Sequence, residues 1–189
     1  MSPYFATDST TMQATYEDAY VLITDKKLRA MNELVPILEK VAQSGKPLLI
    51  IADDVEGQVL PALVFNKLSR GFKVIAIKAP AYSDRRSQIL EDLSALTGAT
   101  LVSDVKSLRF EDLTLNDLGQ VSKIIVDKDS TLFIGPKGSQ ESIQERINTI
   151  INDLQGENSE WVTSKLHERL ASLQGKIAVL YVGAATDTE

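Results

Sequence analysis

The chain has no cysteine among its 189 residues. That excludes a disulfide framework, a thiolate nucleophile and a zinc–thiolate site, and composition carries no mark of redox compartment. Long apolar runs are missing too. Runs such as Leu48 to Ala52 fall far short of the roughly 20 residues a membrane helix needs, and no charged-then-apolar secretory pattern opens the chain. Basic residues are scarce and scattered: 20 Lys and Arg stand against 26 Asp and Glu, for a net charge of −6. Only Lys26-Lys27 and Arg85-Arg86 are adjacent, where a nucleic-acid surface would show a basic stripe. Neither nucleic acid nor a membrane is expected as a partner. No glycine-rich phosphate loop is present. Gly135-Pro136-Lys137-Gly138-Ser139 comes nearest, but proline removes an N–H donor there, and it reads as a loop leading into a helix. The single histidine, His167 beside Glu168, lacks a Ser–Asp partner motif and reads as a helix surface position.

What remains is an α/β pattern. With 43% hydrophobic residues, the chain can bury a proper core. Residues 1–19 are rich in Ser, Thr and Asp and predict an irregular or edge segment. Tyr20–Thr24 predicts a strand, followed by a helix with its main body over Val35–Ser44, Pro36 in its first turn and Gly45 as its stop. Pro47–Ala52 and Lys73–Lys78 predict strands separated by another helix, a β-α-β-α-β alternation that implies a parallel sheet with crossover helices. A helix over Asp84–Thr97 closes at Gly98, and Thr100–Ser103 predicts a short strand. Thr114–Leu118 is one helical turn, Lys123–Ile134 a hairpin turning at Asp127-Lys128-Asp129, and Gln140–Leu154 and Ser159–Gln174 two helices. Ile177–Val182 is a closing strand. No repeat, low-complexity tract or linker interrupts the chain, so residues 1–189 are expected to form one domain.

The helix over Gly57–Leu68 stands out. On a wheel of about 100° per residue its Val59, Leu60, Leu63, Val64, Phe65 and Leu68 sweep roughly 240°, where a surface helix needs a stripe only a little over about 100° wide. The helix over Asp84–Thr97 holds Ile89, Leu90, Leu93 and Leu96 within about 120°, which is ordinary packing. The excess apolar surface fits either burial on two sides or exposure toward a partner. In the preceding helix Leu34, Ile37, Leu38 and Val41 form one face, and Val35, Leu38 and Ala42 an adjacent one. For the opposite class of function, Asp53, Asp54 and Glu56 follow a predicted parallel strand at its carboxyl end. A metal-dependent α/β enzyme would place carboxylates there, although acidic groups are also favoured at a helix N-terminus for electrostatic reasons alone.

Several stretches together match one family: SPYF at 2–5, GKPLLIIADDVEGQ at 45–58, KVIAIKAPAYSDRR at 73–86, LEDLSALTGAT at 90–100, DLGQ at 117–120 and KIAVLYVGAAT at 176–186. The chain resembles, over essentially its whole length and in order, the apical domain of a group I chaperonin. These are the ring-forming, ATP-driven folding machines of bacteria, mitochondria and plastids. The resemblance implies an apical-domain fold, a β-sheet core with flanking helices and two parallel groove helices on one surface. It also implies a piece of a longer protein, with Met1 directly before Ser2-Pro3. The equatorial and intermediate domains, with their ATP and magnesium, would lie outside this chain, so no cofactor and no enzymatic activity are expected within it.

Carried over by position, the implied groove residues are Val35, Leu38 and Ala42 on the first helix, Leu60, Val64, Phe65 and Asn66 on the second, and Tyr4 and Phe5 beneath. The implied partners are unfolded polypeptides, the mobile loop of a co-chaperonin, and sister subunits of a seven-membered ring. The implied location is the bacterial cytoplasm, mitochondrial matrix or chloroplast stroma. The chain departs from the family at Pro61, usually alanine, and at Gln58, often acidic. It departs again at Phe65, usually a smaller aliphatic, and at Ala81-Tyr82-Ser83, usually Gly-Phe-Gly. Pro61 is expected in the second turn of its helix, where it would remove a backbone bond or kink the helix start.

Overall fold

The computed structural model describes residues 12–80 and 83–181. Tyr4 and Phe5 lie outside the described residues, as do Ala81 and Tyr82. Among these residues, five α-helices and a six-stranded mixed sheet make an α/β fold. Strands β1 (Ala14–Ile23), β3 (Leu48–Ala52) and β5 (Val74–Lys78) are parallel neighbours, joined by helices α1 (Met31–Ser44) and α2 (Val59–Arg70). The pairing runs from Tyr20 opposite Leu48 to Ile23 opposite Ile51, and from Leu48 opposite Val74 to Ala52 opposite Lys78. Two short strands, β2 (Lys27–Leu28) and β4 (Asp54–Val55), pair separately. Both crossovers step the same way across the sheet, and right-handed connections then place α1 and α2 side by side on one face.

Beyond β1 the sheet turns antiparallel through β6 (Gly119–Val126), β7 (Ser130–Pro136) and β8 (Ile177–Tyr181). The β6–β7 hairpin turns where expected, because the Asp127 carboxylate accepts the N–H groups of Asp129 at 2.7 Å and Ser130 at 2.6 Å. All five residues of β3 are buried, which requires cover on both faces and explains an unbroken apolar run. The antiparallel strands instead alternate, and Ile177 and Val179 on β8 remain exposed.

The structure corrects the sequence at four places. β1 begins at Ala14, so residues 14–19 are strand and not irregular. Ala14 and Tyr16 are buried, while Glu17 and Asp18 face solvent, and this polar outer set masks the strand. Thr100–Ser103 is no strand: only Val102 bridges to Thr24, whose hydroxyl donates to the Val102 carbonyl at 2.8 Å. The prolines exchange roles. α1 starts at Met31, which puts Pro36 in its second turn, inside the helix. α2 starts at Val59, which puts Pro61 in the first turn. Its first ladder bond is donated by Ala62 to Gln58 at 3.0 Å. Pro61 precedes that bond and removes nothing.

Helix α3 (Ser83–Thr97) packs on α4 (Gln140–Gln155), α5 (Glu160–Gly175), β1 and β6. Leu90, Leu93 and Leu96 are buried as their spacing predicts. Between them lies a charged knot. Asp92 accepts from Arg146 Nε at 2.9 Å and Nη2 at 2.8 Å, and from Arg169 Nε at 2.6 Å and Nη2 at 3.1 Å. The side chains of Asp92 and Arg169 are only 10% and 9% exposed, so one carboxylate holds three helices together through charge-assisted bonds.

Candidate functional site

Helices α1 and α2 both end at a glycine in the left-handed conformation, Gly45 at φ 76° and Gly71 at φ 68°, where a side chain would be strained. Both helices therefore stop sharply before their strands, and their C-terminal ends lie together. Leu48 N donates to Lys73 O at 2.8 Å, tying the chain after α1 to the chain after α2. An open groove of about 500 Å³ runs along the two helices. α1 contributes Val35, Leu38 and Ala42 to it, and α2 contributes Phe65 and Asn66.

The rotation of α2 decides which apolar side chains do what. Val59 and Leu63 are fully buried. Leu60 and Val64 are half-buried and packed against the core, and they do not line the groove. Phe65 does line it and is 63% exposed, opposite Val35 at 39%. Leu68 is 68% exposed but lies off the groove. The wide apolar arc thus divides into a core stripe, a half-buried flank and an exposed edge. Asn66 turns its side-chain amide back to donate to the Ala62 carbonyl at 2.9 Å.

Several lining residues have no counterpart in the sequence-based expectation: Met31, Glu39, Lys46, Arg70, Phe72 and Lys73. Met31 is missed because the start of α1 is set too late. Phe72 and Lys73 are missed because they follow the helix. Gly71 was the available signal, since a C-terminal glycine reverses the chain and lays the next residues against the helix end.

The acidic cluster takes a different form. Asp53 pairs with Arg86, Asp54 Oδ1 lies 3.1 Å from Lys78 Nζ, and Glu56 lies 3.7 Å from Lys27 and 3.4 Å from Arg29. The hydrogen bond from Lys78 holds the Asp54 carboxyl below the usual carboxylate range, helped by the Val55 N–H at 2.8 Å. Each carboxylate has its own cationic neighbour, and among the described residues no cluster of three or more acidic or imidazole groups is arranged for a metal. His167 lies exposed on α5. No helix among the described residues is long and apolar enough to cross a membrane.

The groove can therefore bury apolar side chains. No protein-family model matches the sequence.

Proposed function

We propose that the chain is the apical domain of a group I chaperonin. In this reading the groove between α1 and α2 holds apolar segments of unfolded polypeptides and, in exchange, the mobile loop of a co-chaperonin. The observation that carries it is Phe65, a large aromatic left exposed across an open groove from Val35 by two parallel helices. A single exposed apolar residue is unremarkable, but an aromatic and an aliphatic facing one another over a concave surface form a place to bury something.

The mechanism is physical. Burying apolar surface contributes about 25 cal/mol per Å² and is non-directional, so one groove can take many sequences. Polar backbone groups of an extended client stay hydrated at the open side of the groove. The rest of a full-length chain would supply ATP and magnesium binding, the seven-membered ring and the movement that trades client for lid. Its setting would be the bacterial cytoplasm, the mitochondrial matrix or the chloroplast stroma. Phe65 in place of a smaller aliphatic makes the groove narrower on the α2 side and favours clients with flat or small apolar side chains opposite it.

The test is a fluorescence-anisotropy titration of the chain with a mobile-loop-type peptide and with a reduced, unfolded protein, repeated on the Val35→Ser, Phe65→Ser double variant. Affinity for both ligands is expected to fall by about tenfold or more, the scale of losing one aromatic anchor. Equal binding by the two proteins would overturn the assignment. Leu60→Ser and Val64→Ser make poorer probes, because both side chains also pack on the core.

A further inference from the structure

The groove is not uniformly apolar. Its two helices run the same way, so one end of it is the shared C-terminal end, and Lys46, Arg70 and Lys73 line that end. Lys46 is partly engaged, 3.4 Å from Asp18 and 5.2 Å from the centroid of the Tyr20 ring. Arg70 and Lys73 are exposed and make no ion pair among the described residues. Among the described residues the one carboxylate in the lining is Glu39 on α1. Three cations thus stand against one anion in a chain whose net charge is −6.

A cation in the last turn of a helix offsets the partial negative charge of its terminal carbonyls, and this accounts for Arg70. It does not account for Lys73, which lies beyond the Gly71 stop and immediately before β5. The opposite, N-terminal end of the groove carries Met31 and Val35 and no cation. The surface is therefore polarised along its length, apolar at one end and basic at the other.

Resting on the polypeptide-binding reading above, we infer that the groove selects apolar segments that carry aspartate or glutamate at one end, with those carboxylates set against Arg70 and Lys73. Apolar burial supplies most of the affinity. The basic end sets orientation and register, as complementary charge at an interface rim does. The overall charge of the chain sharpens the inference, because a net negative protein repels acidic ligands at long range, so a preference for them must come from these local cations.

The experiment uses three labelled peptides that share one apolar core and differ only at one end: Glu-Glu, Gln-Gln or Lys-Lys. At about 50 mM salt, where the Debye length still exceeds 10 Å, the Glu-ended peptide is expected to bind about fivefold more tightly than the Lys-ended one. That is the scale of one or two exposed ion pairs. The gap should close at about 1 M salt, where charges are screened within about 3 Å. The double variant R70E/K73E should reverse the order of the Glu- and Lys-ended peptides. Both side chains are exposed, so folding is not at stake. Equal affinities for the Glu- and Lys-ended peptides, or an order that survives R70E/K73E, would overturn the polarity while the groove assignment stands. Failure of the Gln-ended peptide to bind would overturn the groove assignment, and this inference with it.

Discussion

Helices α2 and α3 both follow a strand of the parallel sheet and both run out at a left-handed glycine, yet they break the rule of apolar-inside, polar-outside in opposite ways. α2 carries Phe65 and Leu68 on its surface, and α3 carries Asp92 in the interior. The exception in α3 is resolved within the chain, since Arg146 and Arg169 bring compensating charge and geometry from two other helices. In α2 no described residue covers Phe65. A rule broken and compensated locally marks architecture. A rule broken and left open marks a place where a partner belongs.

The largest effect should come from breaking the resolved side. Asp92→Ala leaves the poorly exposed Arg169 guanidinium without a carboxylate and Arg146 with only Glu91 at 3.3 Å, and stability in urea is expected to drop by about 3–5 kcal/mol. A loss below about 1 kcal/mol would show that the knot is solvated and not architectural. Within α2 itself, Leu63→Ala should cost about 2–5 kcal/mol, because Leu63 is fully buried. Leu68→Ala, little more than a turn away, should stay within about 0.5 kcal/mol. Comparable losses at the two positions would mean that α2 is rotated from its described orientation.

Phe65→Ser sharpens the comparison from the other side. It should leave the urea midpoint unchanged and weaken peptide binding by about tenfold, a separation of binding from stability that no core position can give. The smallest effect concerns the acidic turn before α2. Asp54 is held below its ordinary pKa by Lys78, so its contribution is fully present above the unfolded value of about 3.9 and is lost as pH falls through the folded value. The stability gap between wild type and Lys78→Ala should be flat near neutrality and shrink below about pH 4. A gap that widens on acidification would contradict the pairing.

The parallel half of the fold was legible because β3 and β5 are continuous apolar runs and Gly45 and Gly98 punctuate two of the helices at their C-terminal ends. β1 was half missed because Glu17 and Asp18, adjacent and both exposed, interrupt the apolar alternation, with Asp18 at a positive φ of 51°. The two prolines were misplaced by a single cause. The N-termini of α1 and α2 lack a side-chain cap, Ala30 and Gln58 providing none, so no capping residue marks where either of these two helices begins. Of the candidate groove, the face of Val35, Leu38 and Ala42 was legible from periodicity, with Leu38 shared between groove and core, whereas Phe65 was placed there only by the resemblance. Leu60 and Val64 lie one helical step round from the groove, a rotation of the kind that a wheel cannot fix without the sheet beneath it. The Asp92 knot was invisible because its partners come from positions 54 and 77 residues away.

Among the described residues, a second exposed apolar surface competes with the α1–α2 groove for the role of docking site: the face of β8 that carries Ile177 and Val179. Mapping amide chemical-shift changes on the isotope-labelled chain during titration with an unfolded client separates them most directly. Changes concentrated at Val35, Ala42, Phe65 and Asn66, and lost in the Phe65→Ser variant, are the predicted result. Changes concentrated at Ile177 and Val179, with the groove amides unmoved, would contradict it.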